Sequence, residues 1–166
     1  VDLYLPPVGL PPYPCVLWIH GGSWNYGSKA EAAADAAFFT SRGFAVASVE
    51  YRPAWQSTWP AQLHDCKGAV RWIRANAATY GLDPARIYAF GPSAGGHIAA
   101  VLGTTGDVPS THGTIGGNLG YSSAIQGVIA FAAPSDLLAL PAGSCIELSA
   151  SALIGYSLPI LAANPT

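Results

Sequence analysis

A chain of 166 residues is long enough for one domain with a real core and too short for two ordinary ones. Hydrophobic residues make up 51% and charged residues only 10%, against roughly a quarter charged in an average soluble domain, so disorder is excluded and much of the chain is buried. A net charge of −2 with no basic cluster argues against nucleic acid or an acidic membrane surface as partner, and no apolar run reaches the length of a membrane span. In chain order, Asp2–Leu5 alternates polar and apolar residues and stops at Pro6-Pro7, which suits a short edge strand. Cys15–Ile19 is a continuous apolar run, the signature of a strand buried on both faces, and it leads straight into His20-Gly21-Gly22-Ser23-Trp24. Ser28-Lys29-Ala30-Glu31 has capping-box spacing; an alanine-rich helix follows to Arg42, with Gly43 placed to end it. Ala45–Val49 is a second buried strand. From Pro60, the residues Leu63, Cys66, Ala69, Val70, Ile73, Ala77 and Tyr80 recur at steps of three and four, which draws one apolar stripe on a long helix ending at Gly81.

Asp83-Pro84 turns the chain into an apolar run that starts at Ile87, and strands alternating with helices imply βαβ crossovers in a parallel sheet covered on both sides. Gly103–Tyr121 is rich in glycine and threonine without a period and reads as a surface loop. Ile125–Phe131 is another buried strand, and Ile146–Gly155 carries a weaker helical pattern. The whole chain, 1–166, reads as one domain. Cys15, Cys66 and Cys145 are odd in number and lack metal spacing; the first two fall on buried elements and read as packing. With no methionine and a first residue of Val1, the natural start is not visible; a removed signal peptide and an upstream segment outside this sequence fit equally, and the compartment stays unassigned between soluble and secreted.

The chemistry gathers at Ile87–Gly96, where an apolar strand ends in Gly91-Pro92-Ser93-Ala94-Gly95, the G-x-S-x-G pattern, followed by a helix-compatible stretch to Leu102. A serine hydroxyl is a poor nucleophile, and a sharp strand-to-helix turn holds its oxygen clear of the backbone. Such a turn is crowded: Gly91 is expected to take unusual dihedrals and Gly95 to let the helix pass close to the neighbouring strand. Acyl transfer also needs donors for the oxyanion. Gly21 and Gly22, directly after a buried strand, can turn their amides toward a bound carbonyl, and Ala94 supplies a third beside the nucleophile.

His20-Gly21-Gly22-Ser23-Trp24, Glu50-Tyr51-Arg52, the Ala69–Asp83 stretch and Gly91-Pro92-Ser93-Ala94-Gly95-Gly96-His97 together resemble the His-Gly-Gly-motif α/β-hydrolases. Within them, the bacterial esterases related to hormone-sensitive lipase and to feruloyl and acetyl esterases are most similar; Gly116-Gly117-Asn118-Leu119 and Pro134-Ser135-Asp136-Leu137 fit the same pattern. The resemblance implies an α/β-hydrolase core, an open, mostly parallel sheet with helices on both faces. It further implies hydrolysis of small acyl or aryl esters through an acyl-serine at Ser93, an oxyanion hole of Gly21, Gly22 and Ala94, and neither cofactor nor metal. Ser23 stands where a third glycine is often found, which leaves the first two amides usable.

In the resembling families an acid and then a histidine follow the serine, each on a loop after a later strand. This sequence ends before either, so it is expected to be the amino-terminal part of the fold, C-terminally incomplete. Ile125–Phe131 is then a bare hydrophobic edge that invites pairing with another copy. The only acid-then-histidine order after Ser93 is Asp107…His112, in one loop with no separate strand ends to hold it. His20 is expected to brace the oxyanion loop, His64 to lie on a helix face, His97 to be structural and His112 to be solvated; Asp136 reads as a loop brace. Trp18 and Trp72 read as core, whereas Trp24 and Trp55 are expected on loops where an apolar substrate group packs. Two other readings stay open on these residues: a catalytically silent or partner-completed binding module, and an amide or formamide hydrolase.

Overall fold

The computed structural model describes residues 1–7, 9–106 and 108–156. Among them, β1 (Asp2–Tyr4), β2 (Tyr13–Ile19), β3 (Ala45–Val49), β4 (Leu82–Pro92) and β5 (Gly127–Phe131) build one sheet in the order β1-β3-β2-β4-β5. β1 runs antiparallel to β3, and every other pairing is parallel. The connections are α1 (Ala33–Thr40), α2 (Ala61–Ala75) with the short α3 (Ala77–Tyr80), and α4 (Ala94–Thr105); α5 (Cys145–Ile154) follows the last strand.

The apolar runs are continuous because both faces of the sheet are covered. Successive strand residues point to opposite faces. Cys15, Leu17 and Ile19 join Ala45, Ala47, Ile87 and Ala89 in a core closed by α2 and α4. Val16, Trp18 and Val46 face the other way, where Ala32 and Ala36 cover them and Phe39, Phe44 and Phe90 complete a smaller cluster. Trp18 Nε1 donates to Asp35 at 2.8 Å, so this large ring is buried without an orphaned donor.

The apolar stripe on α2 goes into the larger core through Leu63, Cys66, Val70 and Ile73. Its helix is not continuous to Gly81: it breaks at Asn76, resumes for one turn and ends at Gly81 in the left-handed conformation. Past the break Ala77 still joins the core, whereas Tyr80 is exposed and sets its ring against Trp72 instead of completing the stripe. Ser28 caps a short 3-10 turn, its Oγ accepting from Ala30 N and not from the Glu31 amide that a capping box would use.

The 103–121 segment differs from its sequence reading. α4 extends to Thr105, a 3-10 turn occupies Pro109–Thr111, and the loop is tied down by two buried cations of α2. Lys67 Nζ donates to the carbonyls of Thr105 (3.2 Å) and Gly106 (2.8 Å) and to Thr111 Oγ1 (2.7 Å). Arg71 donates to the carbonyls of Gly117 (3.0 Å), His112 (3.1 Å) and Ile115 (2.7 Å). A loop without a hydrophobic period is thus held by satisfying its backbone acceptors.

β5 is the bare hydrophobic edge expected of Ile125–Phe131, and so not the fully buried strand its composition suggests. It lies at the margin of the described sheet, with Ile129 55% and Phe131 65% exposed. Among the described residues no helix is long and apolar enough to cross a membrane.

Candidate active site

β2 and β4 are neighbours, while β3 lies on the far side of β2, so the strand order reverses between them. Loops that leave the carboxyl ends of two such strands diverge and open a crevice. Gly21 and Ser93 stand at that point. A Cβ placed on Gly21 would be 3.2 Å from the Pro92 carbonyl oxygen and 3.7 Å from Ser93 Cβ, so the backbone after β2 reaches the serine across the cleft.

Ser93 is half-buried, with φ 53° and ψ −121°, a conformation that costs a non-glycine residue about 1–3 kcal/mol. Its surroundings hold it there. Its N–H donates to Phe131 O at 2.8 Å, and its carbonyl accepts the first bond of α4 from His97 N at 3.0 Å. The crowding expected of the turn is present: a Cβ on Gly95 would overlap the Ile19 carbonyl, and one on Gly91 would overlap the backbone of Gly95 itself. Gly91 is therefore required for space; its φ is not in the left-handed region. Ala94 opens α4, so its N–H lies in the first turn, where helix amides have no intrahelical acceptor and the dipole favours negative charge.

The loop that follows β2 is set from behind. Tyr51 Oη donates to His20 O (3.1 Å) and Gly21 O (3.2 Å), and His20 Nδ1 donates to Gly21 O at 2.8 Å. In a trans peptide the N–H points opposite to the carbonyl of the same unit. Anchoring those two carbonyls on the Tyr51 side therefore turns the N–H groups of Gly21 and Gly22 to the other side. Burial pushes the Tyr51 hydroxyl far above the usual tyrosine range, so it remains a donor. The His20 and Tyr51 rings stack at 4.0 Å, and Arg52 forks onto Asp65 (2.8–3.1 Å), which fixes the loop that carries Tyr51. That hydrogen bond also holds the Arg52 guanidinium above its ordinary range. Tyr51 was recognisable only as part of a shared motif; its signal in hindsight is a hydroxyl two residues after the strand next to β2.

Beyond Gly21 the chain makes three consecutive left-handed residues, Gly22 (φ 100°), Ser23 (53°) and Trp24 (60°). The Gly22 carbonyl accepts from Asn25 N (3.0 Å) and Tyr26 N (2.9 Å), closing a tight turn. A side chain at 22 would collide with the Tyr26 carbonyl, so glycine is required there twice over. This turn overturns one expectation: Trp24 is fully buried and cannot pack against a ligand, because the left-handed run folds its indole inward onto His97. Trp55 is 74% exposed, its Nε1 donating to Asn25 O, beside a cavity of about 320 Å³ lined by Tyr26, Tyr51 and Arg52. A 410 Å³ cavity lies further off, between Arg52, Asp65, Trp72 and Ile115.

The remaining histidines do not serve Ser93 as a base. His97 Nδ1 accepts from Trp24 Nε1 (3.3 Å), so its neutral ring carries the proton on Nε2 and has no lone pair left to offer. His20 is the brace the sequence suggested. His64 is half-buried beneath Gly113, and His112 is half-buried as well, so it is not the solvated side chain expected. Asp107 lies outside the described residues, and the Asp107…His112 pair with it. Asp136 Oδ1 accepts from Leu138 N and Ala139 N, bracing its own turn. Cys15 and Cys66 are fully buried, and burial pushes both thiols up, that of Cys15 to about 12, so they pack and do not react.

Comparison with known proteins bears on the family and the fold. The carboxylesterase NlhH of Mycobacterium tuberculosis is 40% identical over 110 residues, which cover 61% of this chain and 32% of NlhH. Among solved structures, a bifunctional GH43-CE protein of Bacteroides eggerthii superposes with a TM-score of 0.86 at 33% identity, over 98% of this chain and 24% of that one. Thermogutta terrifontis esterase 2, phosphonylated by cyclosarin, gives a TM-score of 0.68 at 30% identity, over 79% of this chain and 50% of the other. The chain thus spans about a third of NlhH and half or less of these two structures. The fold is that of the α/β-hydrolases, and with the BD-FAE family model matching residues 1–160, the chain belongs to the BD-FAE family.

Proposed function

We propose that this protein is a serine carboxylic ester hydrolase for small acyl or aryl esters, with Ser93 as nucleophile and the amides of Gly21, Gly22 and Ala94 as oxyanion hole. The observation that carries the reading is the approach of the Gly21 backbone to a serine held at φ 53° on a strand-to-helix turn. Ser93 Oγ attacks the ester carbonyl carbon and gives its proton to a base, which the family resemblance puts on a histidine later in the fold. The tetrahedral oxyanion is held by the backbone amides; its collapse expels the alcohol, which takes the proton back, and water then frees the acid from the acyl-serine. Donors fixed before the reaction need no reorganisation, which is why the anchoring by Tyr51 and His20 matters to rate.

A fluorophosphonate probe, applied to the protein extended through the strands that would carry the histidine base, tests the assignment, since it needs an activated nucleophile and an oxyanion hole but not deacylation. The expected result is a stoichiometric adduct on Ser93 that disappears in Ser93→Ala, with Ser93-dependent hydrolysis of p-nitrophenyl acetate. A folded protein that takes no adduct refutes the enzyme and favours the silent binding module.

The exposed margin at β5 supports a second part of the reading, pairing with another copy of the chain. Ile129 and Phe131 together leave an apolar, hydrogen-bond-competent edge, the arrangement that recruits a further strand. Light scattering across a concentration series is expected to show dimers or larger species that Phe131→Lys disperses; a monomer throughout excludes the pairing.

A further inference from the structure

Trp24 belongs to the oxyanion loop and His97 to the first turn of α4, and they meet although 73 residues separate them. Trp24 Nε1 lies 3.3 Å from His97 Nδ1, and the rings meet edge to face at 5.4 Å. Each is tied closely to the reacting groups. Trp24 follows Gly22 by two residues, and its carbonyl accepts from Ala54 N at 2.8 Å; His97 N donates to Ser93 O at 3.0 Å. Trp59 closes the other side of the imidazole at 5.3 Å.

We propose that Trp24 and His97 are positioning residues for ester hydrolysis: their N–H···N contact sets the Gly21-Gly22 loop against the helix that carries Ser93, and a proton on His97 releases it. The proposal rests on the reading of Ser93 as nucleophile. An indole nitrogen can only donate, so the contact exists only while Nδ1 keeps its lone pair. Protonation leaves two donors facing each other at a half-buried imidazole that packs between Trp24 and Trp59. No charged or titratable side chain among the described residues acts on the ring, and burial alone holds His97 below the ordinary histidine range. Packing by itself would not require the hydrogen bond, because phenylalanine at 24 and leucine at 97 also fill apolar space.

Three variants separate the two roles. Trp24→Phe keeps an aromatic ring and loses the donor; His97→Leu loses the acceptor; His97→Asn restores an acceptor, its Oδ1 standing where Nδ1 stood, that does not titrate. A small misplacement of the oxyanion donors should lower the fluorophosphonate rate and the kcat for p-nitrophenyl acetate about tenfold or more in the first two, with KM changed less than about twofold. His97→Asn should stay within about twofold of the parent. In the parent, the indole N–H resonance of Trp24, identified by its loss in Trp24→Phe, should move with pH at a midpoint below the ordinary histidine range, and stay still in His97→Asn. A folded Trp24→Phe at the parent rate, His97→Asn as slow as His97→Leu, or an indole resonance indifferent to pH would each overturn the proposal. If the variants do not fold, the parent's resonance decides. A parent that takes no adduct overturns the hydrolase reading and the catalytic half of this proposal together, and the resonance then judges the contact alone.

Discussion

Gly95→Ala is the sharpest test of how the nucleophile turn is built. The added methyl would sit 2.5 Å from the His20 carbonyl oxygen and closer still to that of Ile19. Those oxygens are on the end of β2, which is hydrogen-bonded on one side to β3 and on the other to β4, so they cannot rotate away. Gly103→Ala in the same helix is the control, because its methyl meets the Val128 side chain, which can turn aside at the sheet margin. Both substitutions gain about 1 kcal/mol of helix propensity, which cancels between them. What remains is the collision with backbone, about 2–3 kcal/mol by the usual cost of overpacking. For a chain of this size the thermal midpoint of Gly95→Ala should lie about 5–10 °C below that of Gly103→Ala. If the helix instead slides away to make room, Ser93 moves with it, and a shift near 1 Å should slow fluorophosphonate labelling about a hundredfold. Differential scanning fluorimetry and labelling kinetics on both variants read the two effects. Equal midpoints with equal labelling rates would refute the claim that Gly95 is there for close approach.

Two other perturbations follow from buried charge. Arg71→Met leaves the carbonyls of His112, Ile115 and Gly117 without their donor; at about 1 kcal/mol each this predicts a loss near 3 kcal/mol in urea unfolding and new proteolysis between 112 and 117, and an unchanged midpoint would contradict it. Burial lowers the pKa of both His64 and His97, so the unfolded chain takes up protons first and stability rises with pH. The stability is complete above the ordinary histidine value of about 6.5 and falls as the pH drops through it. Thermal midpoints recorded from about pH 7.5 to pH 5 should therefore decline. The decline should be shallower in His97→Asn, and a flat profile in the parent would refute it.

The parallel core was legible because Cys15–Ile19 and Ala45–Val49 are apolar without interruption, and only burial on both faces produces that. The strand-to-helix turn was legible because crowding permits so few residues around Ser93. The burial of Trp24 was not. A tryptophan after two glycines carries no sign of which way it turns, and here the direction comes from three successive left-handed residues, two of them not glycine. Lys67 and Arg71 were equally opaque, since a cation on a helix reads as solvated unless one knows that a loop 38 to 46 residues later brings its carbonyls over it.

These gaps share a cause that bears on the chemistry. A parallel sheet makes β2 and β4 neighbours although a whole helix–strand–helix crossover lies between them, so Gly21 and Ser93 are close in space and remote in sequence. Each loop could satisfy its own backbone in other conformations; what selects one is a contact from the other, or from the strand between them in sequence. Tyr51, at the end of β3, holds the carbonyls of His20 and Gly21, and Phe131, at the end of β5, takes the N–H of Ser93. The two halves of the candidate site are thus fixed by strands that contribute no reacting group. Loss of the Tyr51 hydroxyl should consequently impair the oxyanion loop while leaving Ser93 in place. Tyr51→Phe should keep the fold, since the ring still stacks on His20, and slow labelling without abolishing it. Complete loss of the adduct would mean that the turn at Ser93 depends on the loop it faces; an unchanged rate would mean that His20 alone orients the Gly21 carbonyl.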